Sequence, residues 1–279
     1  MINAVLRKLS TDDLILDQML PVDQRISIEY SVPPELVMFF IYHYGEENAK
    51  AFFQSALEPK KIYIKVNTTK ITTEELSEIL DSEGVKNEKT FLSDSLQIHL
   101  NSAVYELQSY KDGLFHVEDL SSQLCVEALS AFEGCTAIDV CAAPGGKSFS
   151  IAESMKNQGV LYSCDLYEQR VGLIADGAKR LGLTCIKACV NDASVFNNKL
   201  PEVDIVLCDV PCSGLGIIGK KPEIKYKKLD DIKELIPIQK QILQTSSQYV
   251  KKGGRLVYST CSVNPNENRK ICDAFLKDN

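Results

Sequence analysis

From Asp119 onward the chain repeats one pattern, a short apolar run of strand length followed by a stretch with helical spacing. Strands are expected over residues 137–140, 160–164, 185–190, 203–208 and 255–259. Helices are expected between them. One covers about 148–156; another covers 167–181, with Val171, Ile174 and Ala178 inward and Gly182 closing it. A helix before the last strand has Pro237 near its first turn and Gly253 just past its end. One more, ahead of the first strand, puts Leu124, Ala128, Leu129 and Phe132 on a single face and closes at Gly134. Such alternation predicts a doubly wound α/β domain, a parallel sheet with right-handed crossovers and helices on both faces.

The preceding residues follow other rules. Ile62, Ile64 and Val66 alternate with polar neighbours, which is strand spacing; Thr72 or Thr73 then caps a helix with Leu76, Ile79 and Leu80 inward, ended by Gly84. A second alternating run covers residues 96–100. Together they predict a small α/β module, preceded by a helix that starts at Pro33-Pro34 and turns Leu36, Val37, Phe40 and Ile41 to one side. Residues 1–20 carry Val5, Leu6, Leu9, Leu14 and Leu16 with nothing of their own to pack against, and read as the end of something longer. The expected division is therefore a helical remnant at 1–20, a helical linker with the small module at 21–115, and the large domain at 116–279.

Composition narrows the function classes. With 279 residues, 44% hydrophobic and 25% charged, the chain can bury a real core and lies outside the disordered classes. Its longest apolar stretch, near Leu36 to Tyr42, is far short of the ~20 residues of a membrane helix, and the N-terminus lacks a signal pattern, so a soluble, cytoplasmic protein is expected. All ten cysteines lie between Cys125 and Cys272 without a CxxC pair, far from His43, His99 and His116; reduced thiols are expected, with no metal site. The net charge of −7 is unevenly spread: residues 1–120 carry 11 basic and 20 acidic side chains, residues 121–279 carry 20 and 18. A polyanion would meet the second part.

In a doubly wound sheet, ligands collect at the carboxyl ends of the strands. The first strand ends in Asp139-Val140 and the small residues Cys141, Ala142, Ala143, Pro144, Gly145, Gly146 and Lys147, which let a ligand approach the backbone at a helix N-terminus. Asp165, ending the second strand, is placed to accept hydrogen bonds from ribose hydroxyls. Asn191-Asp192 ends the third and suits an adenine amino edge; Asp209-Val210-Pro211-Cys212 ends the fourth. Residues 141–148 miss the phosphate-loop pattern GxxxxGK[ST] by one glycine, so a nucleotide triphosphatase is the nearest rival. Ala-Ala-Pro is stiff and apolar where a phosphate loop needs glycine-permitted amides, and S-adenosylmethionine (AdoMet), with adenosine, a sulfonium and no phosphate, fits better.

Cys212 and Cys261 sit after neighbouring strands, whereas Cys125, Cys164, Cys185, Cys189 and Cys208 read as small apolar residues. A thiolate adding to C6 of cytosine makes C5 nucleophilic enough to take a methyl group, and a second thiol and a carboxylate, here Cys212 and Asp209, can assist proton removal and thiol expulsion. Lys220, Lys221, Lys225, Lys227 and Lys228, with Tyr226 interleaved, suit phosphate and base stacking.

These motifs resemble the RNA cytosine-5 methyltransferase family, most closely its bacterial RsmB branch, the 16S ribosomal RNA methyltransferases. The likeness rests on residues 139–148, on 209–214, and on 258–263 with Asn264-Pro265-Asn266-Glu267-Asn268. It implies a Rossmann-like AdoMet-dependent methyltransferase domain behind an RNA-recognition-like module, with RNA as partner, 16S ribosomal RNA or otherwise a tRNA or 23S ribosomal RNA. It implies that residues Cys141 to Lys147, Asp165, Asp192 and Asp209 bind AdoMet, that Cys261 is the nucleophile and that Cys212 helps release product. Residues 3–9 look like the last helix of the NusB-like RNA-binding domain of that branch. The stretch Lys65-Val66-Asn67 is similar to the small RNA-recognition-like domain, with Lys65 where Arg is usual and Glu118 where Gln is usual. The family fold continues past position 279 with a strand pair, so the resemblance implies an internal fragment whose fifth strand is an open edge and whose stability is below that of its parent. A catalytically idle RNA-binding protein is the remaining alternative.

Overall fold

The computed structural model describes residues 20–100 and 102–279; the segment expected over 1–20 lies, apart from Leu20, outside them. Three helices come first, α1 (Val22–Tyr30), α2 (Pro34–Tyr44) and α3 (Glu46–Leu57). Pro34 opens α2, where a first-turn amide has no intrahelical acceptor to lose. Leu36, Val37 and Phe40 face inward as their spacing predicts, and Ile41 is half-buried. The core they enter is shared: Ile26, Phe40 and Phe53 pack with Leu215, Ile218, Ile224 and Ile232 of the large domain. The helical segment thus grips the chain on which Cys212 sits.

The small module is an antiparallel sheet of β1 (Ile62–Val66), β2 (Lys86–Lys89), β3 (Ser95–His99) and β4 (Phe115–Val117), in the order β2-β3-β1-β4. Helix α4 (Thr73–Ser82) and the single turn α5 (Gln108–Lys111) accompany it. Thr72 is the cap: its hydroxyl accepts from the Glu75 amide while the Glu75 carboxylate accepts from the Thr72 amide. Ile64, Val66, Leu76, Leu80, Leu96 and Ile98 form the core. Lys65 is buried and pairs with Asp94 at 2.5 Å, and Glu118 is buried against Ser150 and His116, so neither faces solvent.

The large domain begins with α6 (Leu120–Leu129) and continues β5 (Thr136–Asp139), α7 (Gly146–Ser154), β6 (Val160–Asp165), α8 (Glu168–Leu181), β7 (Ile186–Val190), β8 (Val203–Asp209), α9 (Leu229–Ser247), β9 (Val250–Ser259) and α10 (Arg269–Asp278). The sheet order is β7-β6-β5-β8-β9 with every pair parallel. Alternate residues serve opposite faces: Ala137, Leu161, Ile205 and Leu207 meet α6, α7 and α8, while Ile138, Cys164, Val206 and Cys208 meet α9 and α10. This is the doubly wound, Rossmann-like arrangement, and β9 is an edge among the described residues. No helix among them is long and apolar enough to cross a membrane.

Three expectations are corrected. Helix α6 stops at Leu129, where Ser130 turns to φ +49°, so the inward face is Gln123, Val126 and Leu129; Leu124, Ala128 and Phe132 are exposed. Gln123 wins the interior because its amide donates to the Glu118 carbonyl. Pro237 is the ninth residue of α9, not part of its first turn, and leaves the Lys233 carbonyl without its usual amide donor. Gly253 lies inside β9 at φ +82°, where the register slips between the Val203–Val250 and Ile205–Arg255 pairs; it is a bulge and not a helix terminator.

The module docks on the C-terminus of α8. Asn67 donates to the carbonyls of Gly113 (2.9 Å) and Leu181 (2.8 Å), and Lys70 donates to those of Asp112 and Arg180. Arg180 returns hydrogen bonds to the Tyr110 and Phe115 carbonyls and lies 3.8 Å over the Tyr110 ring. These donors satisfy carbonyls that a helix end leaves open. At Gly113, φ is +69° and a Cβ would lie 2.1 Å from the Arg180 oxygen. Gly113→Ala is therefore expected to lower stability by about 2 kcal/mol or more, read as a fall in the urea midpoint; an unchanged midpoint would mean the seam yields.

Candidate active site

The strand order reverses between β5 and β8, and the carboxyl ends of β5, β6, β7, β8 and β9 converge on a cavity of about 780 Å³. Cys141 and Ala143 line it from the first loop, Asp165 and Tyr167 from the second, Asn191 and Asp192 from the third, Asp209 and Cys212 from the fourth and Cys261 from the fifth. Helix α9 closes one side with Pro237, Ile238 and Gln241. The rest of the first loop has other duties. Gly145 stands at φ +118°, and a Cβ there would lie 2.4 Å from the Phe149 ring. Ala142 donates its amide to the Cys164 carbonyl at 2.7 Å, and the Ala143–Pro144 peptide is cis. Pro144 and Gly146 line a second cavity, of about 420 Å³, with His116 and Arg180. Lys147 reaches Asp209 at 2.8 Å; burial alone would depress its ammonium, but the Asp209 carboxylate outweighs this and holds it above the usual lysine value.

The carboxylates differ in their surroundings. Asp165 is buried, accepts the Tyr167 amide at 3.2 Å and meets the Arg170 guanidinium at 3.2 Å; Arg170 also donates to the Ala143 carbonyl. Asp192 accepts both the amide and hydroxyl of Ser194. Asp209 takes Lys147 on one oxygen and the Ser259 hydroxyl on the other. Asp139 lies beneath the first loop. Burial pushes its carboxyl up to about 7, partly offset by the Ser148 hydroxyl on one oxygen, while the other has no hydrogen-bond partner.

The two cysteines meet. Cys212 Sγ and Cys261 Sγ are 2.9 Å apart, with Cys261 exposed and Cys212 half-buried. The hydrogen bond between them brings Cys261 down to about 7 against the effect of burial and pushes Cys212 far up with burial acting in the same direction; either sulfur can be the donor in the contact. Of the lysine run, Lys220 pairs with Asp119, Lys225 reaches the Tyr30 and Ser31 carbonyls and Lys227 holds the Ser213 carbonyl at 2.9 Å. Lys221, Lys228 and Tyr226 are exposed. Three of the five lysines thus bond to the protein itself.

Residues 126–279 match the family described as 16S rRNA methyltransferase RsmB/F. Over 99% of its length the chain is 39% identical to a probable ribosomal RNA small subunit methyltransferase B of Bacillus subtilis, of which it covers 63%. The chain belongs to the RsmB/F family. A second probable ribosomal RNA small subunit methyltransferase B, from Synechocystis, is 33% identical over 95% of the chain and 60% of the relative. The crystal structure of PH0851 superposes with a TM-score of 0.89 and 30% identity over 96% of this chain and 61% of that one. The RsmB/F chain thus spans about three fifths of the length of the curated relatives it matches.

Sequence reasoning missed the contributions of α9 to the cavity, the Arg170 contact to Asp165 and the orphan oxygen of Asp139. The α9 contributions have no local signal, because they depend on where a distant helix packs; Arg170, five residues past Asp165, reaches back across the turn into α8. In the sequence Glu267 is only one letter of the motif Asn264-Pro265-Asn266-Glu267-Asn268.

Proposed function

We propose that this RsmB/F-family chain transfers a methyl group from AdoMet to C5 of a cytosine in RNA, with small-subunit ribosomal RNA as the substrate, through a covalent bond between Cys261 and C6. The observation that carries the reading is the pair of sulfurs 2.9 Å apart at the edge of the strand-end cavity.

The cavity suits the cofactor by its donor set. Its ionisable lining includes three carboxylates, Asp165, Asp192 and Asp209, and one guanidinium, Arg170, which already faces Asp165. Such a lining favours hydroxyls, amines and a cationic sulfonium, and disfavours a triphosphate. Asp165 would hold the ribose hydroxyls, Asn191 and Asp192 the adenine edge, and Cys141 with Ala143 the chain passing the first loop. The remaining small residues, Ala142, Pro144, Gly145 and Gly146, would shape that loop, and Lys147 would act through Asp209. When bound, AdoMet supplies an electrophilic methyl group. Cys261, as thiolate, adds to C6; the pair of electrons from the C5–C6 bond becomes available at C5. After methylation the C5 proton passes to the Asp209 carboxylate, the C5–H electron pair re-forms the C5–C6 double bond, and the C6–S pair leaves with Cys261 as thiolate. The Cys212 thiol, 2.9 Å away, can stabilise the departing thiolate by hydrogen bonding, and Asp209 lines the same cavity.

The test is incubation with labelled AdoMet and unmodified 16S RNA, followed by mapping of new 5-methylcytosine, alongside calorimetric titration with AdoMet and with ATP. AdoMet binding without ATP binding and label at a cytosine C5 are expected. ATP binding alone would turn the assignment toward a nucleotide triphosphatase.

A further inference from the structure

Glu267 is fully buried and, among the described residues, meets no opposing charge, an arrangement that costs several kcal/mol unless the carboxylate is densely hydrogen-bonded. It is. One oxygen accepts the Ser213 amide at 2.8 Å and the Gln239 side chain at 3.1 Å; the other accepts the hydroxyls of Ser213 (2.5 Å) and Ser262 (2.6 Å). Burial would raise this carboxyl, but the four donors outweigh burial and keep it below the usual glutamate value.

The donors have a pattern. Ser213 follows Cys212 and Ser262 follows Cys261, so one carboxylate grips the residue next to each sulfur. The two serine hydroxyls also lie 2.9 Å apart. The Tyr258 hydroxyl donates to the Glu267 carbonyl at 2.7 Å, tying the clamp back to β9, and Gln239 also donates to the Pro211 carbonyl, tying it to α9. A last bond runs from the Gly216 amide to the Cys261 carbonyl at 3.0 Å, in a gap where a Cβ would lie 2.8 Å from that oxygen.

We propose that Glu267 is a positioning residue that sets the separation of the two sulfurs, its carboxylate clamping Ser213 and Ser262 so that Cys212 and Cys261 stay in contact. A glutamine of the same shape offers one acceptor oxygen and sets its amide nitrogen against one pair of donors, either the two serine hydroxyls or the Ser213 amide with Gln239, so it cannot hold all four. The use made of the spacing in catalysis rests on the methyl-transfer reading above; the spacing itself does not.

The experiment therefore contains neither RNA nor AdoMet. The purified chain is equilibrated in glutathione buffers, quenched in acid, alkylated, and the Cys212–Cys261 disulfide quantified by peptide mapping. In this exchange Cys261 attacks oxidised glutathione, releasing one reduced glutathione. Cys212 displaces the second, so two electrons pass from the cysteine pair to glutathione. The equilibrium yields the effective concentration of one thiol at the other. Glu267→Gln is expected to lower it by about tenfold or more, and Ser262→Ala, which removes one donor and little volume, by about threefold. A residue that merely stabilised the fold would lower the melting temperature and leave this quantity unchanged. An effective concentration within twofold of the parent in folded Glu267→Gln would overturn the proposal. Should that variant not fold, the same result in Ser262→Ala would do so, as would a parent pair that forms no disulfide.

Discussion

Replacing Cys261 with alanine is expected to abolish methyl transfer, by about 10³-fold or more, while leaving AdoMet binding in place. The proposed covalent route has no substitute for the sulfur, and a methyl side chain at 261 would leave the carboxylates of the cavity untouched. Cys212→Ala should fail differently. Cys261 remains to attack C6, but the thiol 2.9 Å away is gone, so the adduct forms and is not resolved. The expected sign is a protein–RNA species that survives denaturing electrophoresis, together with turnover reduced about 100-fold. The depressed Cys261 thiol gives a second readout. Its alkylation midpoint is expected at about 7 in the parent, held there first by the Cys212 hydrogen bond, and should rise toward the ordinary thiol value of about 8.5 when Cys212 is removed. Reversal of the two phenotypes, with the adduct in Cys261→Ala, would exchange the roles of the two residues.

The large domain was legible because its strands are short apolar runs bounded by small-residue turns, a pattern that parallel sheets buried on both faces impose. The meeting of Cys212 and Cys261 followed from the same logic, since β8 and β9 are neighbours and both residues lie just past the carboxyl ends. Local pattern failed where a distant contact decided. Leu124 and Phe132 have the spacing of an inward face, yet α6 ends before Phe132 and the interior goes to Gln123, whose amide finds the Glu118 carbonyl. Gly253 has the appearance of a helix stop, but the strand needs a bulge there to restore register with β8. Glu267 looks like a surface glutamate in a polar loop; only folding brings Ser213 and Gln239 from other segments onto it beside the nearby Ser262. Residues 141–147 are recognisable as a small-residue loop at a strand end, whereas the division within it, Cys141 and Ala143 toward the cavity and Lys147 toward Asp209, required the packing of Phe149 beneath it.

Folding stability should depend on pH through His116. Its ring is buried between Glu118 on β4's trailing end and Glu153 on α7, with Nε2 3.6 Å from one carboxylate and Nδ1 3.5 Å from the other; Ser150 lies beside it and Lys65 is its cross-strand neighbour. Burial alone would depress the imidazolium, but the two glutamates outweigh it and raise the pKa from 6.5 to about 9. A folded-state value above the unfolded one means that the folded protein binds the proton more tightly. The stabilisation is therefore complete below about pH 6.5 and is lost as pH rises through about 9, with a span of about 3 kcal/mol. Cys261, whose value is depressed, acts in the opposite direction over part of the same range, so the informative quantity is a difference. The gap in unfolding free energy between the parent and His116→Gln, from urea melts between pH 6 and 9.5, should shrink by about 3 kcal/mol with rising pH. A constant gap would mean that the histidine is neutral in the fold. The consequence reaches the cavity, because the nearest atom to a Cβ built at Gly146 is a Glu118 oxygen at 3.6 Å: the charge cluster underlies the turn into α7, and its loss of a proton should loosen the seam that carries the loop after β5.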